Sequence, residues 1–403
     1  MNYSAFTSFF ILSSTASNRM KDRLKKRLAF VFLLTCAVVY CGGPVLRDAR
    51  GGTQGEGPLS KWRPARDYSG LHYVGGDACA RCHTHEASTQ PATPMGRASE
   101  LAADCEVLKT HPRLTFRNGA YTYRITREGS GSVYTVDDGT NTISEPILYC
   151  FGQGAAGQTY IFRHDGSFYE SRVSYFGALQ NLDITIEHPR SPPASLADAL
   201  GRRVSEEAAR GCFGCHTTGT AAAARLQPER LTPGVSCEAC HGPGEKHLEA
   251  VRAKDFKNLQ IYNPATLDAF DLSQEFCGAC HQSFDTVMGL SGQGGAANIR
   301  FQPYRIFNSR AHLINDRRMS CVACHDPHRP LEHDAAAYDD KCFACHLSNP
   351  KEAKTRTRTA AACPVATKQC VTCHMPKVEL PEMHYQFTDH WIRVVKPGAP
   401  VPR

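Results

Sequence analysis

The chain has 403 residues, 19 of them cysteine, and a formal net charge of +7. Its first 41 residues carry +5 of that charge, which leaves +2 for the remainder and argues against a basic surface for nucleic acid. Cysteine use at this level is typical of an oxidising compartment outside the cytoplasm.

The N-terminus has the pattern of an export signal. A basic stretch, Lys21–Arg27, precedes an apolar run, Leu28–Tyr40, which is short for a membrane span. Residues 1–41 are therefore predicted to be a signal peptide or an uncleaved N-terminal anchor. Met20 offers an alternative start, which would leave out residues 1–19. We expect a periplasmic or extracellular protein that touches a membrane only through this segment, if it stays uncleaved.

Three segments of different composition follow. Residues 42–70 are rich in Gly, Pro and charge, which predicts a linker. Residues 71–105 form a first segment with a single CxxCH motif. Residues 106–194 contain short alternating runs of β-branched and aromatic residues, broken by Asn-Gly, Asp-Gly and Gly-Ser. Because such breaks favour hairpins, an antiparallel β insert is predicted there.

Residues 195–395 contain six more CxxCH motifs, and residues 396–403 form a tail. The six motifs form three doubled modules. Their first cysteines, Cys212, Cys277 and Cys342, are spaced by 65 residues, and each module ends in a motif with a proline two residues after its histidine. A segment this dense in motifs has too few residues for an ordinary aliphatic core. We expect prosthetic groups to take the place of that core.

CxxCH is the attachment signature of a c-type haem, in which two thiols bind the porphyrin and the histidine ligates the iron. Numbered 1 to 7 in chain order, the motifs predict seven c-type haems. The predicted attachment residues are Cys79, Cys82, Cys212, Cys215, Cys237, Cys240, Cys277, Cys280, Cys321, Cys324, Cys342, Cys345, Cys370 and Cys373. The predicted first iron ligands are His83, His216, His241, His281, His325, His346 and His374. Zinc is the alternative for CxxC pairs, but zinc does not require a histidine after every pair.

A second ligand for each iron has to come from elsewhere. Eleven histidines lie outside the motifs, enough for all seven irons. The candidates are His247, His312, His328, His384 and His390. Met95 is a further candidate at motif 1, where thioether ligation would raise the haem potential. The alternative for Met95 is ordinary apolar packing.

The order of these motifs resembles a known family. It runs through YVGGDACARCH, TPMGRA, GQTYIFR, CFGCHTTG, GVSCEACHGPGEKH, SCVACHDPH, CVTCHMP and FTDHWIRV. Over residues 72–395 the chain resembles the doubled-CxxCH multihaem cytochromes c of the cytochrome c-552/c-554 group. The resemblance implies electron transfer through closely stacked, mostly bis-histidine haems. Carriers of that group usually have a histidine in the region where this chain has TPMGRA with Met95.

The expected fold is therefore that of a multihaem cytochrome c, made mainly of short α-helices and irregular loops wrapped round stacked haems, with an inserted antiparallel β subdomain. Three cysteines remain after the motifs and the N-terminal segment. Cys105 and Cys150 flank much of the β insert and could form a disulfide, which would leave Cys363 as a single thiol. The sequence does not choose among the three possible pairings.

Three functions fit these patterns. We favour an electron carrier between redox proteins, such as other cytochromes or a quinol-oxidising membrane complex, with no catalytic residues. The alternative is an oxidoreductase of nitrogen or sulfur compounds with one open haem, suspected at motif 1. All seven motifs carry histidine, so the lysine that marks the active haem of some such enzymes is absent. The third hypothesis is a subunit of an extracellular haem filament.

Overall fold

The computed structural model describes residues 71–222, 225–289, 295–309, 318–344, 346, 363–396 and 398–401. Within them lie thirteen α-helices of 4 to 11 residues and sixteen β-strands of 2 to 10 residues. The predicted N-terminal signal, the predicted linker, His312 and Cys345 fall outside the described residues. None of the helices in the described ranges has the length and hydrophobicity that crossing a membrane requires.

The elements are numbered here in chain order. The α-helices are α1 (Gly76–Ala80), α2 (Thr84–Thr89), α3 (Glu106–Thr110), α4 (Leu196–Leu200), α5 (Glu206–His216), α6 (Cys237–His241), α7 (Glu245–Arg252), α8 (Gly278–His281), α9 (Phe284–Gly289), α10 (Gln302–Phe307), α11 (Cys321–Cys324), α12 (Asp339–Phe343) and α13 (Cys370–His374). The strands are β1 (Ser99–Leu101), β2 (Arg113–Asn118), β3 (Tyr121–Glu128), β4 (Gly131–Asp137), β5 (Thr142–Phe151), β6 (Thr159–His164), β7 (Ser167–Ser171), β8 (Val173–Phe176), β9 (Asn181–Ile184), β10 (Gly201–Arg203), β11 (Thr217–Thr218), β12 (Ala221–Ala222), β13 (Arg225–Leu226), β14 (Thr232–Pro233), β15 (Lys377–Leu380) and β16 (Tyr385–Thr388). A π-helix spans Asp271–Cys277, directly before α8.

An eight-stranded antiparallel sheet dominates the first part of the described chain. Its strand order is β10-β7-β6-β5-β4-β3-β2, and β1 pairs with β5. Two-residue turns join β2 to β3 and β3 to β4, where Asn118 pairs with Tyr121 and Glu128 with Gly131. Each turn has a glycine at positive φ, Gly119 and Gly129, a backbone conformation that glycine adopts without steric cost.

The sheet builds its own core. Burial alternates along β3 and β4, so that Tyr123 and Ile125 face inward together with Tyr134 and Val136. These side chains belong to one buried cluster that also takes in residues of α3, β6, β9 and α4. The alternating pattern in the sequence therefore produces an independent apolar core, because successive strand residues point to opposite faces.

The prediction that short helices and irregular loops make up most of the protein is wrong. The antiparallel strands expected in residues 106–194 are present, but they belong to a large sheet that extends past those bounds to β1 and β10. The prediction failed because it extended the scarcity of aliphatic residues in the motif region to the whole chain. Residues 113–184 contribute most of the aromatic and aliphatic side chains of a large buried cluster.

The motif region joins the sheet through α5, the helix that carries motif 2. Phe213 of α5 packs edge-on against Tyr149 and Phe151 of β5, at centroid distances of 5.0 and 5.1 Å. A small separate cluster around Leu272 and Phe276 lies beside motifs 3 and 4. The other described residues of this region contain short helices and the two-stranded pairs β11–β14, β12–β13 and β15–β16.

Candidate metal centres

The CxxCH motifs lie on short helical turns. Motifs 3 and 7 coincide with α6 and α13, motifs 2 and 4 end at the last residues of α5 and α8, and motif 5 begins α11. In motifs 1, 5 and 6 the histidine N–H donates to the carbonyl of the first cysteine at 2.9, 2.9 and 2.8 Å. Side chains three and four positions apart on a helix share one face. Both thiols and the histidine of such a motif therefore lie on one side, as attachment to a single porphyrin requires.

Three motif histidines face a second histidine from a distant part of the chain. The ring-centroid distances are 6.4 Å for His83 and His247, 6.2 Å for His241 and His328, and 6.2 Å for His325 and His390. Motifs 1, 3 and 5 thus each have two imidazoles that face each other, one from the motif itself and one from a distant part of the chain.

The spacing of these pairs fits an iron between two imidazoles. A transition metal lies about 2 Å from an imidazole nitrogen and the ring centre about 1 Å behind it, so two opposed ligands have centroids about 6 Å apart. Ring pairs that pack directly against each other include His216 with Phe151 at 5.1 Å and Tyr123 with Tyr134 at 6.5 Å. The residues at motifs 1, 3 and 5 therefore fit a c-type haem with two histidine ligands.

Hydrogen bonds to the backbone decide which ring nitrogen is available. In five of the candidate ligands, Nδ1 lies 2.7 to 3.0 Å from a carbonyl oxygen. The pairs are His216 with Ala98, His241 with Tyr262, His247 with Leu259, His374 with Arg393 and His390 with Thr388. Since a carbonyl oxygen can only accept, Nδ1 carries the proton and Nε2 of the neutral ring keeps its lone pair. Metal-binding histidines are usually oriented in this way.

Burial keeps several of these rings neutral. It lowers the pKa of His216, His281 and His325 and brings the pKa of His390 to about 4. The reason is that a buried imidazolium loses its hydration, which disfavours the charged form. At neutral pH these histidines therefore have an unprotonated nitrogen that is able to bind a metal.

His384 is placed differently from the other predicted ligands. Its Nε2 lies 2.8 Å from a carboxylate oxygen of Asp183, and its ring meets Phe176 edge-on at 5.0 Å. His188, outside the predicted set, has the same pattern, with Nε2 3.1 Å from Glu170. In both residues the nitrogen that a metal would need is already hydrogen-bonded to a carboxylate of the sheet.

Met95 is hydrogen-bonded through its backbone to Val235, two residues before motif 3. Its carbonyl accepts hydrogen bonds from the N–H groups of Ala98 and Val235, and its side chain is half-buried. The ring that faces His83 belongs to His247. The prediction for His312 cannot be compared in this way, because that residue lies outside the described ranges.

Thiols of different motifs lie against each other in four places within the described residues. The contacts are Cys79 with Cys237, Cys215 with Cys280, Cys277 with Cys321, and Cys342 with Cys370. The hydrogen bond with Cys79 lowers the pKa of Cys237 to about 7, and that with Cys277 does the same for Cys321. The attachment sites of motifs 1 and 3, 2 and 4, 4 and 5, and 6 and 7 are therefore neighbours.

Glu238, inside the CEACH of motif 3, joins motif 3 to motif 1, a role that sequence reasoning missed. The residue is 4% exposed. Its carboxylate accepts the N–H groups of Val74 and Gly75, which precede motif 1, at 2.8 and 2.9 Å, and that of Gly244 at 2.8 Å. Haem attachment places no demand on this position, so the sequence offers no signal beyond an acidic residue within the motif.

Two further side chains tie neighbouring motifs together. Asp339 of α12 accepts the N–H groups of Gln369 and Cys370, at 2.7 and 2.9 Å, at the start of motif 7. Ser273, just before motif 4, accepts the N–H of Cys321 of motif 5 at 3.3 Å. In each case a polar side chain near one motif satisfies an N–H group at the first turn of another motif's helix, which would otherwise have no partner within its helix.

Comparison with known proteins gives three findings. Residues 187–242, which contain motifs 2 and 3, match the family model described as cytochrome c554 and c-prime. A search of curated proteins gave no match. Among solved structures, the chain is similar to the outer cell wall cytochrome OcwA, with a TM-score of 0.46 and 17% identity, over 81% of this chain and 80% of that one. The segment around motifs 2 and 3 is thus similar to a cytochrome c family whose members carry covalently bound haem.

Proposed function

We propose that the protein is an exported multihaem c-type cytochrome that transfers electrons between redox partners. Seven covalently bound haems, one at each CxxCH motif, would supply the one-electron chemistry. The chain's own residues attach these groups through paired thiols, ligate them through histidines and keep their attachment sites close together. The proposed location is the periplasm or the cell exterior.

The observation that carries this proposal is the spacing of the three histidine pairs. An iron with protein nitrogens on both faces has no open position for a substrate, which favours electron transfer over catalysis. His247, His328 and His390 are therefore proposed as the second ligands at motifs 1, 3 and 5.

At motif 1 the proposed second ligand is His247 instead of Met95. The 6.4 Å separation from His83 supports this choice, as does the hydrogen bond of 2.7 Å that leaves Nε2 of His247 free. The oxidoreductase alternative required an open iron at motif 1. A second histidine there argues against that alternative, and Met95 is assigned an apolar packing role.

The four thiol contacts between motifs support a relay. Two of them, motif 1 with motif 3 and motif 2 with motif 4, bring together attachment sites from different segments of the chain, and motif 4 touches both motif 2 and motif 5. Electron transfer requires near neighbours, so this arrangement suits movement of charge through the protein. The proposed partners are redox proteins, either other cytochromes or a quinol-oxidising membrane complex.

Intact-mass measurement and low-temperature EPR of the fully oxidised protein test the proposal. We expect a mass seven haems above that of the mature polypeptide, and low-spin signals from every iron. A protein that binds zinc and no haem would overturn the proposal altogether. A high-spin signal of one haem in seven would instead favour the oxidoreductase, to be assayed with nitrite, hydroxylamine and sulfur oxyanions.

A further inference from the structure

A fully buried ion pair lies beside the C-terminal histidine. Arg305 of α10 and Asp389 are both 0% exposed. Arg305 donates from Nε and Nη2 to the two carboxylate oxygens of Asp389, both at 2.9 Å, and from Nη1 to the side-chain oxygen of Asn298 at 2.9 Å. Its guanidinium also lies 5.0 Å from the ring centre of Trp391.

The acceptor side of this pair is equally well satisfied. One oxygen of Asp389 accepts the N–H of Trp391 at 2.9 Å, and the other accepts a hydrogen bond from Arg393. Fork-to-fork pairs of this kind are geometrically specific as well as strong. The pair therefore holds residues 389–393 in one conformation against α10.

Ser309 adds a second attachment for the same segment. Its hydroxyl donates to the carbonyl of His390 at 3.1 Å and accepts the N–H of Ile392 at 2.8 Å. Segment 389–393, named here the C-terminal clasp, is thus fixed by one ion pair and one hydroxyl.

The C-terminal clasp contributes to two metal centres. His390 faces His325 of motif 5, with centroids 6.2 Å apart. At its other end, the carbonyl of Arg393 accepts the Nδ1 proton of His374 of motif 7 at 2.8 Å, and the Arg393 N–H donates to the His374 carbonyl at 3.2 Å. One short segment therefore supplies a second ligand to motif 5 and orients the first ligand of motif 7.

Stability alone does not account for a buried ion pair. Removing two charges from water is costly, and apolar replacements of a buried pair are often as stable or more so. Here the geometry that the pair fixes is that of His390 and of the Arg393 carbonyl.

We infer that Arg305 and Asp389 are positioning residues that hold the C-terminal clasp so that His390 binds the motif 5 iron and His374 keeps its Nε2 directed at the motif 7 iron. This inference rests on the proposed function. It adds that one segment, the C-terminal clasp, positions ligands at two centres, whose motif histidines His325 and His374 are 49 positions apart.

The test compares Arg305→Gln with wild type and with Arg300→Gln, all as the haem-loaded full-length protein. Arg300 is a matched control because it also pairs with a carboxylate, that of Glu187 at 2.8 Å, but at the surface. For Arg305→Gln we expect an EPR high-spin signal of one haem in seven, converted to low spin by added imidazole, and a shifted potential at a second haem. Arg300→Gln should leave the spectrum and the potentials as in wild type.

A milder variant, Ser309→Ala, provides a second test in case Arg305→Gln does not fold. It removes two hydrogen bonds from the C-terminal clasp and leaves the ion pair in place. We expect seven haems by mass and altered g values for one low-spin species. If Arg305→Gln loads its haems, wild-type spectra and potentials in that variant would overturn the inference. If Arg305→Gln does not load haem, a wild-type spectrum in Ser309→Ala would overturn it. A wild-type protein without haems would instead defeat the proposed function itself.

Discussion

The ring nitrogen that each histidine leaves without a hydrogen bond divides the histidines discussed above into two groups. His247 and His390 donate from Nδ1 to a carbonyl and leave Nε2 free, whereas His384 and His188 use Nε2 to bind a carboxylate. This distinction is chemical, because only a nitrogen with a free lone pair can bind iron. It separates residues that look equivalent in the sequence.

At the residue scale, His247→Ala tests this distinction. The substitution removes the imidazole opposite His83, so we expect a high-spin EPR signal of one haem in seven, with all haems still attached. His384→Ala is the matched control, because its Nε2 lies 2.8 Å from a carboxylate oxygen of Asp183. An entirely low-spin spectrum in His247→Ala would mean that another side chain is the second iron ligand at motif 1, and Met95 would be the first to test.

At the scale of elements, the eight-stranded sheet has a buried core formed by its own strands and by the short helices α3 and α4. Its core contains fully buried tyrosines from adjacent strands, Tyr123 of β3 and Tyr134 of β4. Burial raises the pKa of Tyr123 to about 12 and that of Tyr134 well above its usual value, since a phenolate in the core would lose its hydration. Both rings are therefore neutral at any physiological pH.

The sheet should consequently lose stability at alkaline pH. The folded pKa of Tyr123 lies above the unfolded value of about 10, so its contribution is complete below pH 10 and declines as the pH rises towards 12. Full ionisation of Tyr123 would lower the free energy of unfolding by about 2 to 3 kcal/mol. Hydrogen exchange of peptides from β3 and β4, measured by mass spectrometry between pH 8 and 11.5 with intrinsic rates corrected, should show this decline.

Tyr123→Phe is the control for that measurement. The hydroxyl of Tyr123 has no hydrogen-bond partner among the described residues, so its removal should cost little at pH 8. The variant should keep more of its protection at high pH than wild type. Equal losses of protection in the two proteins would mean that another group controls the alkaline transition.

At the scale of the whole molecule, the described thiol contacts join the motifs into three groups: motifs 1 and 3, motifs 2, 4 and 5, and motifs 6 and 7. Motif 4 is central in the described contacts, because Cys280 lies against Cys215 of motif 2 and Cys277 against Cys321 of motif 5. Motif 7 is more peripheral, and its described thiol contact is that of Cys370 with Cys342 of motif 6. Loss of the haem at motif 4 should therefore separate motif 2 from motif 5, whereas loss of the haem at motif 7 should leave that connection intact.

The double variant Cys277→Ala/Cys280→Ala tests this connectivity. We expect six haems by intact mass and an added slow phase when the protein is reduced in a stopped-flow experiment, because the remaining groups are separated. Cys370→Ala/Cys373→Ala is the matched comparison, with six haems and no added phase. Identical kinetics in the two variants would argue against motif 4 as the central connection.

The sequence by itself determined the predicted attachment positions and the presence of antiparallel strands. A CxxCH motif occupies about one helical turn, so its chemistry is local and can be identified from consecutive residues. The strands of residues 113–184 were likewise visible as alternation with turn residues. The extent of the sheet was underestimated, because the dense spacing of motifs after Cys212 was taken to describe the entire chain.

The tertiary structure alone decided which histidines face each other. The pairs join residues 164, 87 and 65 positions apart, His83 with His247, His241 with His328 and His325 with His390. No local pattern encodes such a pairing, because it depends on how separate modules pack. The same holds for Glu238 and Arg305, whose partners Val74 and Asp389 lie 164 and 84 positions away. Local chemistry thus identifies where a haem would be attached, and long-range packing decides how its iron would be held.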